Sequence, residues 1–86
     1  MITLEIYVDS ACAICQKSKG LGEYARQRCR DLDVRVIDLS EAGAERPESI
    51  VATPTFVLNG RVLSLGNPAW AELRAAIEDL RGGQGR

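Results

Sequence analysis

At 86 residues, 45% hydrophobic but only 5% aromatic, the chain makes one small domain with an aliphatic core. A net charge of −1, with acidic and basic residues interspersed, excludes a basic stripe for nucleic acid, and the apolar runs are too short to span a membrane. Three cysteines are an odd count for a secreted disulfide framework, and no charged leader precedes the first strand, so a cytoplasmic, reducing setting and a monomer are expected.

The first segment, Ile2 to Val8, alternates apolar and polar residues as a half-buried strand does. Cys12-Ala13-Ile14-Cys15 follows where a helix should begin. Two cysteines three apart at a helix N-terminus can close a small disulfide ring. The first faces unpaired backbone N–H groups, which favour thiolate over thiol. A helix from about Ala13 to Arg30 places Ile14, Ser18, Leu21, Ala25 and Cys29 on one stripe. Gly20 and Gly22 weaken it by about 1 kcal/mol each relative to alanine.

Asp33 to Leu39 reads as a second strand, with Val34, Val36 and Leu39 on one side and Ile37 on the other. Ser40 offers a cap for a short helix over Glu41 to Glu45, which Gly43 and Pro47 keep poor. Thr55 to Leu58 is a third strand, Asn59-Gly60 a hairpin turn, and Arg61 to Leu65 the returning strand. After Gly66, Asn67 suits a helix cap and Pro68 the first helical position. The last helix carries Trp70, Leu73, Ile77 and Leu80 on one stripe and is expected to end at Gly82-Gly83. The domain is therefore 1–81, with 82–86 a flexible tail.

The order β-α-β-(short α)-β-β-α implies an α/β fold with a four-stranded mixed sheet. Its first crossover joins parallel strands, and its two strong helices share one face. The weak middle helix would cover the other face, toward which Thr3, Glu5 and Tyr7 point.

A strand, a C-x-x-C pair at a helix start, then Thr53-Pro54-Thr55-Phe56-Val57-Leu58-Asn59-Gly60-Arg61-Val62 resembles the thioredoxin/glutaredoxin superfamily, from Ile2 to about Arg81. The resemblance implies a thioredoxin-like fold and a small thiol–disulfide oxidoreductase needing no bound cofactor and no metal. Cys12 would be the nucleophile and Cys15 the resolving thiol. Pro54 matches the family's cis-proline, and Thr53 and Pro54 would form a substrate ledge that pairs with an extended segment. Partners would be proteins or small molecules carrying disulfides, with electrons from a reductase, such as one of thioredoxin type, or from a small thiol. Cys29 lies about 21 Å along the helix from Cys15 and reads as core, so the expected disulfide is Cys12–Cys15.

Several positions depart from the family pattern. Ala11 replaces the tryptophan before the first thioredoxin cysteine, Ala13-Ile14 replaces Gly-Pro, and Ile6 stands where thioredoxins bury an acid. Asp9 occupies the place of a glutaredoxin lysine, and Leu65-Gly66-Asn67-Pro68 lacks the glutathione-gripping Gly-Gly and acidic pair. Asp9 opposes a nearby Cys12 thiolate, and Lys17 is the candidate to offset it.

Two other readings stand beside the oxidoreductase. One is a soft-metal binding or delivery module; copper chaperones also carry C-x-x-C after a first strand, but with a methionine at the position of Ser10 and a closing strand. The other is a thioredoxin-like interaction module with idle cysteines. Structural zinc would need about four ligands, and beyond the pair only Cys29 remains, with no histidine.

Overall fold

The computed structural model describes residues 1–84. Six elements follow in chain order: β1 (Ile2–Val8), α1 (Cys15–Arg28), β2 (Leu32–Asp38), β3 (Thr55–Leu58), β4 (Arg61–Leu65) and α2 (Trp70–Gln84). They build one four-stranded sheet in the order β2-β1-β3-β4. β1 pairs with β2 in parallel from Ile2↔Leu32 to Val8↔Asp38, and antiparallel with β3 from Leu4↔Leu58 to Tyr7↔Thr55. The β3–β4 hairpin is antiparallel and turns through Asn59 and Gly60, both at positive φ, the geometry expected of that dipeptide. Asn59 also fastens the hairpin tip to β1. Its N–H donates to the Thr3 carbonyl at 2.8 Å, and its Oδ1 accepts the Thr3 N–H at 2.9 Å.

The alternation of β1 sends Ile2, Leu4, Ile6 and Val8 into the main core, where they meet Cys15, Ala25 and Cys29 of the first helical segment and Leu73 and Ile77 of α2. Both helices thus share one face of the sheet. The buried stripe of α1 is Cys15, Ser18, Gly22 and Ala25, continued by Cys29 at its C-cap. Ser18, Ala25 and Cys29 lie on it as expected, whereas Ile14 is exposed and Leu21 only half-buried, their places taken by Cys15 and Gly22. The cause lies upstream. Residues 13 and 14 form a turn, so the helix begins at Cys15 rather than Ala13, and Cys15 becomes its first inward side chain. Gly22 lets α1 settle onto β1; a Cβ there would stand 2.6 Å from Cδ1 of Ile6.

The opposite face holds a smaller cluster of Tyr7, Val57 and Ile50, with Ile37 and Leu39 against it. No helix forms over Glu41 to Glu45; this segment is turns and irregular backbone. The expected three-layer arrangement is therefore two layers plus a loop, which Ile50 anchors at 2% exposure. Gly43 at positive φ and Pro47 interrupt any helical run. On that face burial raises the Tyr7 phenol above its ordinary pKa, and Glu5 adds to the shift.

Val36, expected on the same side of β2 as Val34, is exposed; β2 is an edge strand, and burial along it falls away after Val34. α2 begins at Trp70, two residues later than Pro68 would start it; Ala69 accepts the first-turn N–H groups of Glu72 and Leu73. The helix runs on through Gly82 and Gly83 to Gln84, past its expected end. Of the expected tail, residues 85 and 86 lie outside the described residues. The Trp70 ring meets Tyr24 edge-on at 5.0 Å and the Arg28 guanidinium lies 4.3 Å over Tyr24, so the two helices are joined by packed aromatics.

Candidate active site

β1 ends at Val8, and the chain makes two tight turns before α1. The Asp9 carbonyl accepts the Cys12 N–H at 3.1 Å, and the Cys12 carbonyl accepts the Cys15 N–H at 3.3 Å. Asp9 also folds its side chain onto the first turn, Oδ1 accepting the Ala11 N–H at 2.8 Å. These bonds bring Cys12 and Cys15 to a Cα–Cα separation of 5.4 Å, joined as a disulfide. Cys15 is buried at 3% exposure, whereas Cys12 is half-buried. One sulfur is reachable from solvent and the other stands behind it.

Cys12 opens onto a cleft of about 420 Å³ lined by Asp9, Ala11, Cys12, Ala13, Ile14 and Thr53. Thr53 precedes Pro54 across a cis peptide bond. Pro54 itself is buried, and the turn around it is closed by the Thr55 hydroxyl donating to the Ala52 carbonyl at 2.6 Å. Thus Asp9, Cys12 and Thr53 come together around one opening, with Cys15 bonded behind Cys12. Lys17 is exposed and does not line that opening. The first turn of α1 carries neither an acidic residue nor a side-chain cap, so nothing on the helix itself neutralises the positive end of its dipole beside the cysteines.

Asn67, expected as the cap of α2, instead sends its side chain to the head of α1: Nδ2 donates to the Ile14 carbonyl at 3.2 Å, and Oδ1 accepts the Ser18 hydroxyl. This contact spans 53 residues of sequence, and no local signal announces it. Cys29 is free and buried. Among the described residues, no group of three or more His, Cys, Asp or Glu side chains stands ready to hold a metal ion.

No family model matches the chain, and none of the curated proteins matches it in sequence. Solved structures do match in shape. The crystal structure of thioredoxin O2 from Arabidopsis thaliana in its oxidized state covers 93% of this chain and 75% of its own, with a TM-score of 0.70 at 16% identity. The chain has a thioredoxin-like fold. At this identity the likeness speaks for the fold, and the chemistry rests on the dithiol itself. A thioredoxin-like chain with a C-x-x-C disulfide is consistent with a thiol–disulfide oxidoreductase role. It closes on a helix, α2, unlike the strand-closed copper chaperones. No helix among the described residues is long and apolar enough to cross a membrane.

Proposed function

We propose that this protein is a small dithiol–disulfide oxidoreductase that reduces or exchanges disulfides of protein substrates. The observation that carries the reading is the asymmetry of the bonded pair: Cys12 opens onto a cleft shared with Thr53, and Cys15 is buried behind it. Thiolate Cys12 attacks one sulfur of the substrate disulfide. The substrate S–S bond breaks, a mixed disulfide forms, and the departing sulfur takes a proton. Cys15, losing its proton, then attacks the Cys12 sulfur and expels the second substrate sulfur. Two electrons and two protons pass to the substrate, and the Cys12–Cys15 disulfide remains.

Thr53 and Pro54 form the substrate ledge in this reading. Proline offers no N–H, so the Thr53 backbone beside it is the part able to pair with an extended segment. Asp9 is the modulating charge, the sole ionisable side chain besides the cysteine on the cleft wall among the described residues. It disfavours an anionic thiol such as glutathione and favours protein dithiols, so electrons are assigned to a thioredoxin-type reductase and the setting to the reducing cytoplasm. Lys17, exposed and outside the cleft, acts at most through the general field.

The test is a trap. Cys15→Ser should accumulate mixed disulfides with protein substrates through Cys12, and Cys12→Ser should abolish exchange. If limiting alkylation modified Cys15 ahead of Cys12, the roles would have to be reversed.

A further inference from the structure

Gly66 and Asn67 touch both halves of the dithiol site, and the mechanism above uses neither. The Gly66 N–H donates to the Pro54 carbonyl at 2.8 Å, from a backbone at φ +94° that favours glycine. The next side chain crosses to the C-x-x-C turn, where Asn67 holds Ile14 and Ser18. Two adjacent residues therefore tie the proline loop and the cysteine turn to a single point.

Ile14 is the joint of that turn. It is the N-cap of α1, at φ −95° and ψ 0°, and no side chain caps the helix there. Its carbonyl accepts the first-turn N–H groups of Lys17 at 3.1 Å and Ser18 at 3.4 Å. A group that holds this oxygen holds the peptide leading into Cys15. Ser18 is wholly buried and has one hydroxyl proton for two acceptors. The Ile14 carbonyl, at 3.4 Å, is too far for a good O–H···O bond, so the proton goes to the Asn67 oxygen. The amide orientation follows: reversed, it would set its oxygen against the Ile14 carbonyl oxygen, two acceptors facing each other. Asn67 thus needs both ends of its amide, one accepting and one donating.

We propose that Asn67 is the positioning residue of the dithiol: its amide holds the Cys12–Cys15 turn against the Pro54 loop, where the two sulfurs meet. The proposal rests on the oxidoreductase reading. Its lever is effective concentration. Cys15 closes the ring on Cys12 from the place the turn gives it, and a turn held by fewer bonds spreads over more conformers. The two hydrogen bonds of this half-buried amide together correspond to a factor of about five to ten in such an equilibrium. A role confined to overall stability would weaken the oxidised and reduced forms alike and leave the redox equilibrium unmoved.

The experiment equilibrates wild type, Asn67→Ala, Asn67→Asp and Ser18→Ala with a reduced/oxidised glutathione buffer and counts free thiols. In the reaction, the dithiol gives up two electrons and two protons, the glutathione disulfide bond breaks, and two reduced glutathione molecules leave as the Cys12–Cys15 bond forms. Asn67→Ala is expected to lower the equilibrium constant for ring closure about five- to tenfold. Asn67→Asp, the same shape without the donor, should match alanine, and Ser18→Ala, which keeps the bond to Ile14, should shift less. A further measurement needs no substitution: in wild type, the Asn67 Nδ2 proton that meets the Ile14 carbonyl should exchange with solvent more slowly than the protons of amides without a partner. An Asn67→Ala or Asn67→Asp variant within twofold of wild type would overturn the proposal; so would fast amide exchange in wild type. A wild type that forms no Cys12–Cys15 disulfide in the buffer overturns the oxidoreductase reading itself.

Discussion

Asp9 stands on the wall of the cleft that Cys12 opens onto, with one carboxylate oxygen engaged by the Ala11 N–H. That bond fixes the side chain beside the first turn and leaves its negative charge in the path of any thiol approaching Cys12. Glutathione brings two carboxylates, and among the described residues no cationic side chain lines the cleft to meet them. Asp9→Lys should therefore increase turnover in a glutathione-coupled assay, with the gain shrinking as salt rises. Efficient wild-type turnover, unchanged by the substitution, would remove Asp9 from the account. At this scale the Cys12–Cys15 pairing was legible from residue type and spacing, and the cis Thr53–Pro54 bond from the resemblance that Thr53-Pro54-Thr55 carries. Asn67 was not. Asn-Pro before an amphipathic run has the form of a helix start, and a partner 53 positions away leaves no trace in local pattern.

Two glycines of α1 look alike in sequence and differ in what surrounds them. Nothing lies within 4 Å of a Cβ placed at Gly20, whereas one at Gly22 would stand 2.6 Å from Ile6 Cδ1 and 3.3 Å from Val34 Cγ1. Gly20→Ala should stabilise the protein by about 0.5–1 kcal/mol through helix propensity and the unfolded chain. At Gly22 the same gain is opposed by overpacking of about 1–3 kcal/mol, since the Ile6 side chain it would press on is fully buried. Gly22→Ala should thus be net destabilising, by about 1 kcal/mol; denaturant midpoints of the two variants moving in the same direction would contradict this. Periodicity identified α1, β1 and α2 as elements, but not where α1 starts. The turns at residues 9–15 depend on hydrogen bonds accepted by the Asp9 and Cys12 carbonyls that hydrophobic spacing does not encode, and the later start puts Cys15 rather than Ile14 at the head of the buried stripe. The absent middle helix, by contrast, was foreshadowed by Gly43 and Pro47.

Across the whole molecule, the parallel first crossover, the Asn-Gly hairpin and the final helix were enough to lay out a four-stranded mixed sheet with both helices on one face; the strand order β2-β1-β3-β4 emerges only from the structure. The rear face was not predictable in detail, because a loop rather than a periodic element covers it. One contact closes the end of the fold away from the dithiol: Arg81 of α2 grips Asp31, just before β2, through Nε at 2.7 Å and Nη2 at 2.5 Å. The Arg81 guanidinium holds the Asp31 carboxyl below its ordinary pKa. A carboxyl with a depressed folded-state pKa contributes stability above its unfolded pKa and loses it as pH falls through the folded value. The contribution should therefore be present at neutral pH and fade below about pH 4. Asp31→Asn should lower stability at neutral pH and converge with wild type in acid. The effect is small, since both partners are exposed. A difference that persisted unchanged from neutral to acid pH would assign it to packing instead.

The central claim, that Cys12 and Cys15 form a working dithiol, is tested most directly by one stoichiometric reaction. Fully reduced protein is mixed with a protein disulfide and no other reductant, quenched with an alkylating agent, and mass-mapped. The account predicts one Cys12–Cys15 disulfide formed for each substrate disulfide lost, with Cys29 alkylated only after unfolding. Substrate disulfides left intact, or a new bond to Cys29, would contradict it.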